Sequence, residues 1–271
     1  MATYYLNADT GDNANAGTSA LPWETITYAH TTATDGDTII LQTATAVYSP
    51  FAAFTKSLTF QGATTTPANH VISKGLSEYR PFDSATSDIT ITYEYIKFTG
   101  IEQTSAGWIY AHSAGDQTVN ITNCVIDLSA VSGAGNFIYS GSGGTLYINI
   151  TSTSISKTNH NWSRIIFGNA AACVATFIAC TLYIDEININ FFSVSNTPYA
   201  ITISNSIFYL GVSTAFGSIG TGVLTTSCFY NATSIPAGTD NITTDPLFVD
   251  GANGNFNLRQ TSPCLDTGTI L

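Results

Sequence analysis

The 271-residue chain is short of charge: only 9% of its residues are Asp, Glu, Lys or Arg, where an ordinary soluble domain has about 25%. What charge there is runs one way, 7 Lys+Arg against 18 Asp+Glu for a formal net charge of -11. So few cations leave no extended phosphate-binding surface, so no nucleic-acid partner is expected. There is a single Met, and the Ala-Leu-Glu-Lys patterning of a helix bundle is missing. No apolar run approaches the roughly 18 residues of a membrane span, so no membrane partner is expected. The opening MATYY has neither a basic nor an apolar stretch of a secretory signal. The five cysteines, Cys124, Cys173, Cys180, Cys228 and Cys264, show no CxxC and no flanking His pair. Buried free thiols are expected rather than a zinc site. Hydrophobic residues make up 44%, enough to bury a core, and Thr, Ser and Asn supply the polarity.

What the chain does have is a repeat. ITITYEYIKF at 89–98, VNITNCVIDL at 119–128, INITSTSI at 148–155, ATFIACTLYI at 175–184, ITISNSIFYL at 201–210 and VLTTSCFY at 223–230 share one pattern. Aligned on it, Ile91, Ile121, Ile150, Phe177, Ile203 and Thr225 are equivalent, at steps of 30, 29, 27, 26 and 22 residues. Alternation with a period of two makes these segments strands, and units this short leave no room for crossover helices. The pattern predicts an all-β, single-domain right-handed parallel β-helix of about eight coils, a rod of roughly 40 Å. The predicted divisions are an N-terminal cap with a short helix and the first coil at 1–43, coils at 44–233, and a closing segment at 234–271.

The register predicts ladders. Tyr93, Asn123, Ser152, Ala179, Asn205 and Ser227 fall at a bend suited to left-handed backbone. The next row holds Glu94, Cys124, Thr153, Cys180, Ser206 and Cys228. Cys124 and Cys180 are then two coils apart, too far for a disulfide. A preceding strand carries Tyr110, Tyr139, Phe167, Phe192 and Phe216 in one row. Beside it run Ile109, Ile138, Ile166, Phe191 and Ala215, with Trp108 at the start. One row points in and the other out, and both are apolar. That wall is expected to be covered, by loops of the chain or by another subunit, because so long an exposed apolar stripe is abnormal for a monomer. Its candidate interface residues are Trp108, Ile109, Tyr110, Ile138, Tyr139, Ile166, Phe167, Phe191, Phe192 and Phe216. The other wall is polar, with Thr90, Thr92, Asn120, Thr122, Asn149, Thr151, Thr202 and Ser204 outward.

Both ends carry a resemblance. YYLNADTGDNANAGT at 4–18, PWETITYA at 22–29 and DGDTIIL at 35–41 resemble the opening of right-handed parallel β-helix proteins of the pectate-lyase-like superfamily. DPLFVDGANGNFNL at 245–258 and SPCLDTG at 262–268 are similar to the closing segment of many of them. The resemblance implies the fold; this fold carries lyases, hydrolases, adhesins and viral spikes, so it implies no single activity. The paired acidic residues and basic proton abstractor of pectate lyases are not found, nor are the Asn-Thr-Asp, Asp-Asp, Gly-His-Gly and Arg-Ile-Lys motifs of polygalacturonases.

The residual candidates are few. Asp127, Asp185 and Glu186 are the carboxylates considered for acid/base work, with Asp127 read as one coil before the region of Tyr183. His160, Trp162 and Arg164 gather a His, an aromatic and a cation, a candidate glycan-contacting loop. Asp9 and Asp12 in a Gly/Asn loop are calcium candidates without a known calcium-loop spacing; otherwise no cofactor is expected. The function expected is that of a structural or attachment protein of a bacteriophage virion, as capsid decoration, fibre or spike, assembled in the host cytoplasm. Its expected partners are copies of itself, a trimer by analogy with viral β-helices, or other virion proteins. A polysaccharide lyase or glycosidase, and a non-catalytic glycan-binding adhesin, stand as alternatives, each with a surface glycan as partner.

Overall fold

The computed structural model describes residues 1–49, 54–73, 82–84, 88–100, 107–111, 115–128, 136–140, 144–157, 164–168, 172–184, 190–194, 199–217 and 219–268. The chain winds as a parallel β-helix with three parallel sheets. A long sheet has nine strands, from Thr3–Leu6 to Leu224–Thr225, one rung more than the eight coils expected. A middle sheet has seven, from Val71–Ser73 to Cys228–Thr233, and a short sheet five, from Phe82–Ser84 to Asn190–Val194. No helix among the described residues is long and apolar enough to cross a membrane.

Alternate residues of each strand stack into the interior. Tyr93, Ile121, Ile150, Phe177, Ile203 and Leu224 form one inward row of the long sheet. Ile72, Phe98, Ile126, Ile155, Leu182, Phe208 and Phe229 form the facing row of the middle sheet, each 0–1% exposed. The short sheet contributes Ile109, Ile138 and Ile166, all fully buried. The predicted register holds from Ile121 to Ile203 and slips at both ends. Ile121 pairs with Tyr93 rather than Ile91, and Ile203 with Leu224 rather than Thr225.

The bend between the long and middle sheets is left-handed at every one of these rungs. Tyr95, Asn123, Ser152, Ala179, Asn205 and Thr226 have φ between 49° and 55°. Tyr95 and Thr226 replace the predicted Tyr93 and Ser227, following the same two slips. The residue after each bend turns its side chain inward: Ile96 at the first, and small residues from Cys124 on. The amides of Cys124, Cys180, Ser206 and Ser227 donate to Thr153 Oγ1, Ser206 Oγ, Ser227 Oγ and Asn241 Oδ1 of the next turn, at 3.0–3.2 Å. The thiols and hydroxyls of this row donate to carbonyls two residues back, as Thr153 Oγ1 does to Thr151 at 2.9 Å.

Both ends are closed by the chain. The helix Ile26–Thr32 is capped by Thr25, whose Oγ1 accepts from the Tyr28 amide, and it packs by the first strand. Lys56 Nζ donates to the carbonyls of His30, Thr31 and Ala33 at 2.7–3.0 Å, so a scarce cation sits on the helix C-terminus. At the other end an antiparallel hairpin, Phe248–Asp250 with Asn255–Leu258, lies over the middle sheet. No predicted disulfide partner pairs: all five cysteines are free, four of them buried.

Ala179 is the one bend residue without a polar side chain or ring. Asn is easier than Ala in left-handed backbone, so Ala179→Asn should stabilise the protein by about 0.5–1 kcal/mol. A denaturant midpoint that falls instead would show that the bend is set by something other than backbone preference.

Candidate functional site

The outer face of the long sheet is hydrogen-bonded to itself. Asn120 Nδ2 donates to Thr92 Oγ1 at 3.2 Å, and Asn149 Nδ2 donates to Asn120 Oδ1 at 2.9 Å. One row over, the outward positions run Thr118, Tyr147, Val174 and Ala200. Here the chain at Ile219–Gly222 pairs with the edge of the strand Tyr199–Ser204, with Gly220 bridged antiparallel to Ala200. A Cβ at Gly220 would lie 1.9 Å from the Tyr199 carbonyl oxygen, and its φ is +63°, so only glycine allows this approach. The result is a cleft of about 400 Å³. Val174, Ala200 and Tyr147 line it from the outward row, with Thr145 and Thr221 beside them; Tyr199 borders it at a position that pairs with the buried Cys173 and packs against the core. Tyr147 is 38% exposed. The two tyrosines stand two rungs apart, roughly 9–10 Å along the rod.

The outer face of the middle sheet is different. Lys97 Nζ and Asp127 Oδ2 pair at 3.4 Å on adjacent rungs. Beyond them Ser156, Tyr183, Tyr209 and Tyr230 continue the row. Tyr183 and Tyr209 stack at 4.6 Å, and the closing hairpin lays Phe248 and Phe256 against them. This ladder is covered by the protein itself. A third groove, of about 440 Å³, follows the bend past Asn123, Ser152 and Ala179. Over the next rungs the closing segment occupies the bend, leaving a space of about 90 Å³ beside Asn205, Cys228 and Cys264.

The sequence-predicted residues scatter. Ile109, Ile138 and Ile166 are core, so the isoleucine row is the inward one and offers no interface. Phe192 pairs with Ile166 and Ser193 with Phe167, so Phe192 shares the register of the inward row and not that of the tyrosines. Phe216 lies outside this sheet, fully buried, edge-on to Phe229 at 5.0 Å. Tyr139 is half-buried, and its neighbours Phe137 and Ile138 are both fully buried. Successive strand residues face opposite ways, so at Phe137 the outer side is covered within the chain. The side chains of Trp108, Tyr110, Phe167, Phe191 and Arg164 lie outside the described residues, as do Asp185, Glu186, His160 and Trp162 altogether.

Asp127 is two turns before Tyr183, not one, with Ser156 between them. The Asp9 carboxylate accepts from the Thr45 and Ala46 amides at 2.6 and 2.7 Å, hydrogen bonds that hold its pKa below the usual range. Asp12 Oδ1 accepts from the Ala14 amide at 2.8 Å. Both carboxylates shape the opening loop, and no group of three or more His, Cys, Asp or Glu placed to hold a metal occurs among the described residues.

No family model matches the chain, and no curated protein matches it. Among solved structures it is similar to a rhamnogalacturonan lyase, with TM-score 0.51 and 11% identity over 90% of this chain and 83% of that one. The fold shared with it is the parallel β-helix. A pectate lyase, Pel9A, aligns over 100% of this chain and 92% of its own at TM-score 0.43 and 13% identity, too loosely to carry argument. At such identities the likeness extends to the winding of the β-helix and stops there.

The tyrosine cleft was missed in sequence because Tyr147 and Tyr199 lie just before the segments at 148–155 and 201–210. Extending each strand toward its start would have shown Tyr147 outward. Gly220→Ala should destabilise the protein by about 2 kcal/mol or more, read in thermal denaturation. An unchanged midpoint would mean that the chain at Ile219–Gly222 is not seated on Tyr199 and the cleft is not built as described.

Proposed function

We propose that the protein is a non-catalytic attachment protein: a rigid β-helix that holds an extended surface glycan in the cleft beside Tyr147. The cleft carries this reading. Sugar rings present apolar C–H faces and polar edges, and an aromatic wall with a threonine rim matches both. Its floor belongs to strands fixed on both sides, so little ordering opposes binding. The described carboxylates on the outer faces are engaged structurally: Asp127 with Lys97, and Glu94 with Gln61 at 3.0 Å. Within this reading the protein serves in a virion, as capsid decoration, fibre or spike. It assembles there with its own copies or other virion proteins through the outward row Tyr110, Tyr139 and Phe167.

A panel of neutral and acidic polysaccharides, titrated calorimetrically, tests the binding. Tyr147→Ala should weaken affinity about tenfold or more and leave the thermal midpoint within a few degrees. Unsaturated or reducing-end products appearing during the titration would replace this reading with the lyase or glycosidase one. Absence of binding to the whole panel, or binding indifferent to Tyr147, would remove the cleft as its basis. Light scattering after size exclusion tests assembly. The native protein should run as a multimer and Tyr139→Lys as a folded monomer; a native monomer at every concentration would refute assembly.

A further inference from the structure

Three of the five cysteines are buried singly. Desolvation pushes the thiols of Cys124, Cys173 and Cys180 each up to about 12, leaving them un-ionised and inert near neutral pH. Cys228 and Cys264 differ. Cys228 begins the last strand of the middle sheet, Cys228–Thr233, and is buried. Cys264 lies in the closing segment that folds back over the same turn, and it is partly exposed. Both line the same small space at the end of the bend groove.

The surroundings give the two sulfurs unequal roles. The Cys264 amide donates to Ser262 Oγ at 3.1 Å, which fixes the segment beside the turn. Cys228 Sγ reaches the Thr244 carbonyl at 3.2 Å. The contact between the thiols draws Cys264 down and pushes Cys228 up, while the Asp245 carboxylate opposes ionisation of both. The exposed thiol is thus the readier nucleophile, and the buried one is placed to complete an exchange.

We propose that Cys228 and Cys264 form an intramolecular disulfide that fastens the closing segment to the last turn of the β-helix. The oxidant is a low-molecular-weight disulfide. The Cys264 thiolate attacks one of its sulfurs, forming a mixed disulfide and releasing one thiolate. Cys228 then loses its proton and attacks the Cys264 sulfur, releasing the second thiolate. Two protein thiols are oxidised and one small disulfide is reduced to two thiols. The bond joins residues 36 apart in sequence and constrains the unfolded chain accordingly. Protein made under reducing conditions would gain this clasp on reaching an oxidising medium.

The test uses fully reduced native protein treated with oxidised glutathione. Its intact mass should fall by about 2 Da, and non-reducing peptide mapping should join the peptides holding Cys228 and Cys264. Cys264→Ser should abolish the linkage and Cys124→Ser should leave it. The thermal midpoint should rise by roughly 5–10 °C on oxidation, with slower proteolysis of the closing segment. Because linkage is mapped in the native sequence, the result stands even if a variant folds poorly. Both thiols remaining open to alkylation, a persistent glutathione adduct on Cys264, or a linkage formed only in urea-unfolded chain would overturn the proposal. A mapped bond that leaves midpoint and proteolysis unchanged would overturn its role as a clasp.

Discussion

One left-handed residue per turn sets the shape of this protein. Without it the long-sheet strand would run straight on, and the middle sheet could not face it across the core. Left-handed backbone costs a non-glycine residue about 1 kcal/mol or more, and six such residues follow one another at the same edge. Hydrogen bonding offsets the cost. The next residue's amide, which the bend lifts out of the regular ladder, donates to a hydroxyl or amide oxygen one turn along. That requirement explains the polar members of the row Cys124, Thr153, Cys180, Ser206 and Ser227: Thr153, Ser206 and Ser227 each accept the amide of the preceding turn.

The same geometry accounts for the scarcity of charge. In a parallel stack, equivalent side chains meet every ~4.8 Å, so a charge at one rung faces whatever stands at the next. Like charges there repel, whereas Asn and Thr bond to their own kind, as Asn149, Asn120 and Thr92 do. Lys97 and Asp127 fit the rule from the other side, since neighbouring rungs carry opposite signs. Charge that survives is used at the ends: Lys56 on the helix carbonyls, and Asp9 on the Thr45 and Ala46 amides. The 9% of charged residues is therefore a consequence of winding a chain onto itself, and an adhesive wall is not needed to explain it.

The repeat and its inward rows were legible in sequence because burial imposes a period of two that turns of unequal length do not hide. The slips have physical reasons. Moving the segment at 89–98 by two residues keeps every side chain on its face, so alternation alone cannot choose between Ile91 and Tyr93. The tightening of the last turn to 21 residues, Ile203 to Leu224, left no such protection, and the reading slipped by one. In the short sheet, FIY at 137–139 and IIF at 165–167 are apolar on both faces, so parity carried no signal and Phe192 was placed in the wrong row. The cleft was illegible for another reason. It is completed by Gly220, whose role exists only because the chain turns back and pairs with Ala200.

A β-helix must also end. Its terminal strands expose unpaired backbone and an open core, which invites further strands to add on. Here the N-terminal end receives Trp23, stacked on Tyr4 at 4.4 Å, and the helix Ile26–Thr32. The C-terminal end receives a segment that crosses the middle sheet, covers Tyr183 and Tyr209, and then enters the bend groove beside Asn205 and Cys228. This second cover continues the parallel ladder only through bridges at Thr239 and Ile242; beyond them side-chain contacts hold it, so that part of the fold is the one a covalent link would most change. The tyrosine cleft sits on the opposite logic: its floor is central parallel strand, paired on both sides. A surface that must keep its shape while binding an extended chain belongs on such strands, and a surface that must seal the rod belongs on a segment that can be fastened afterwards.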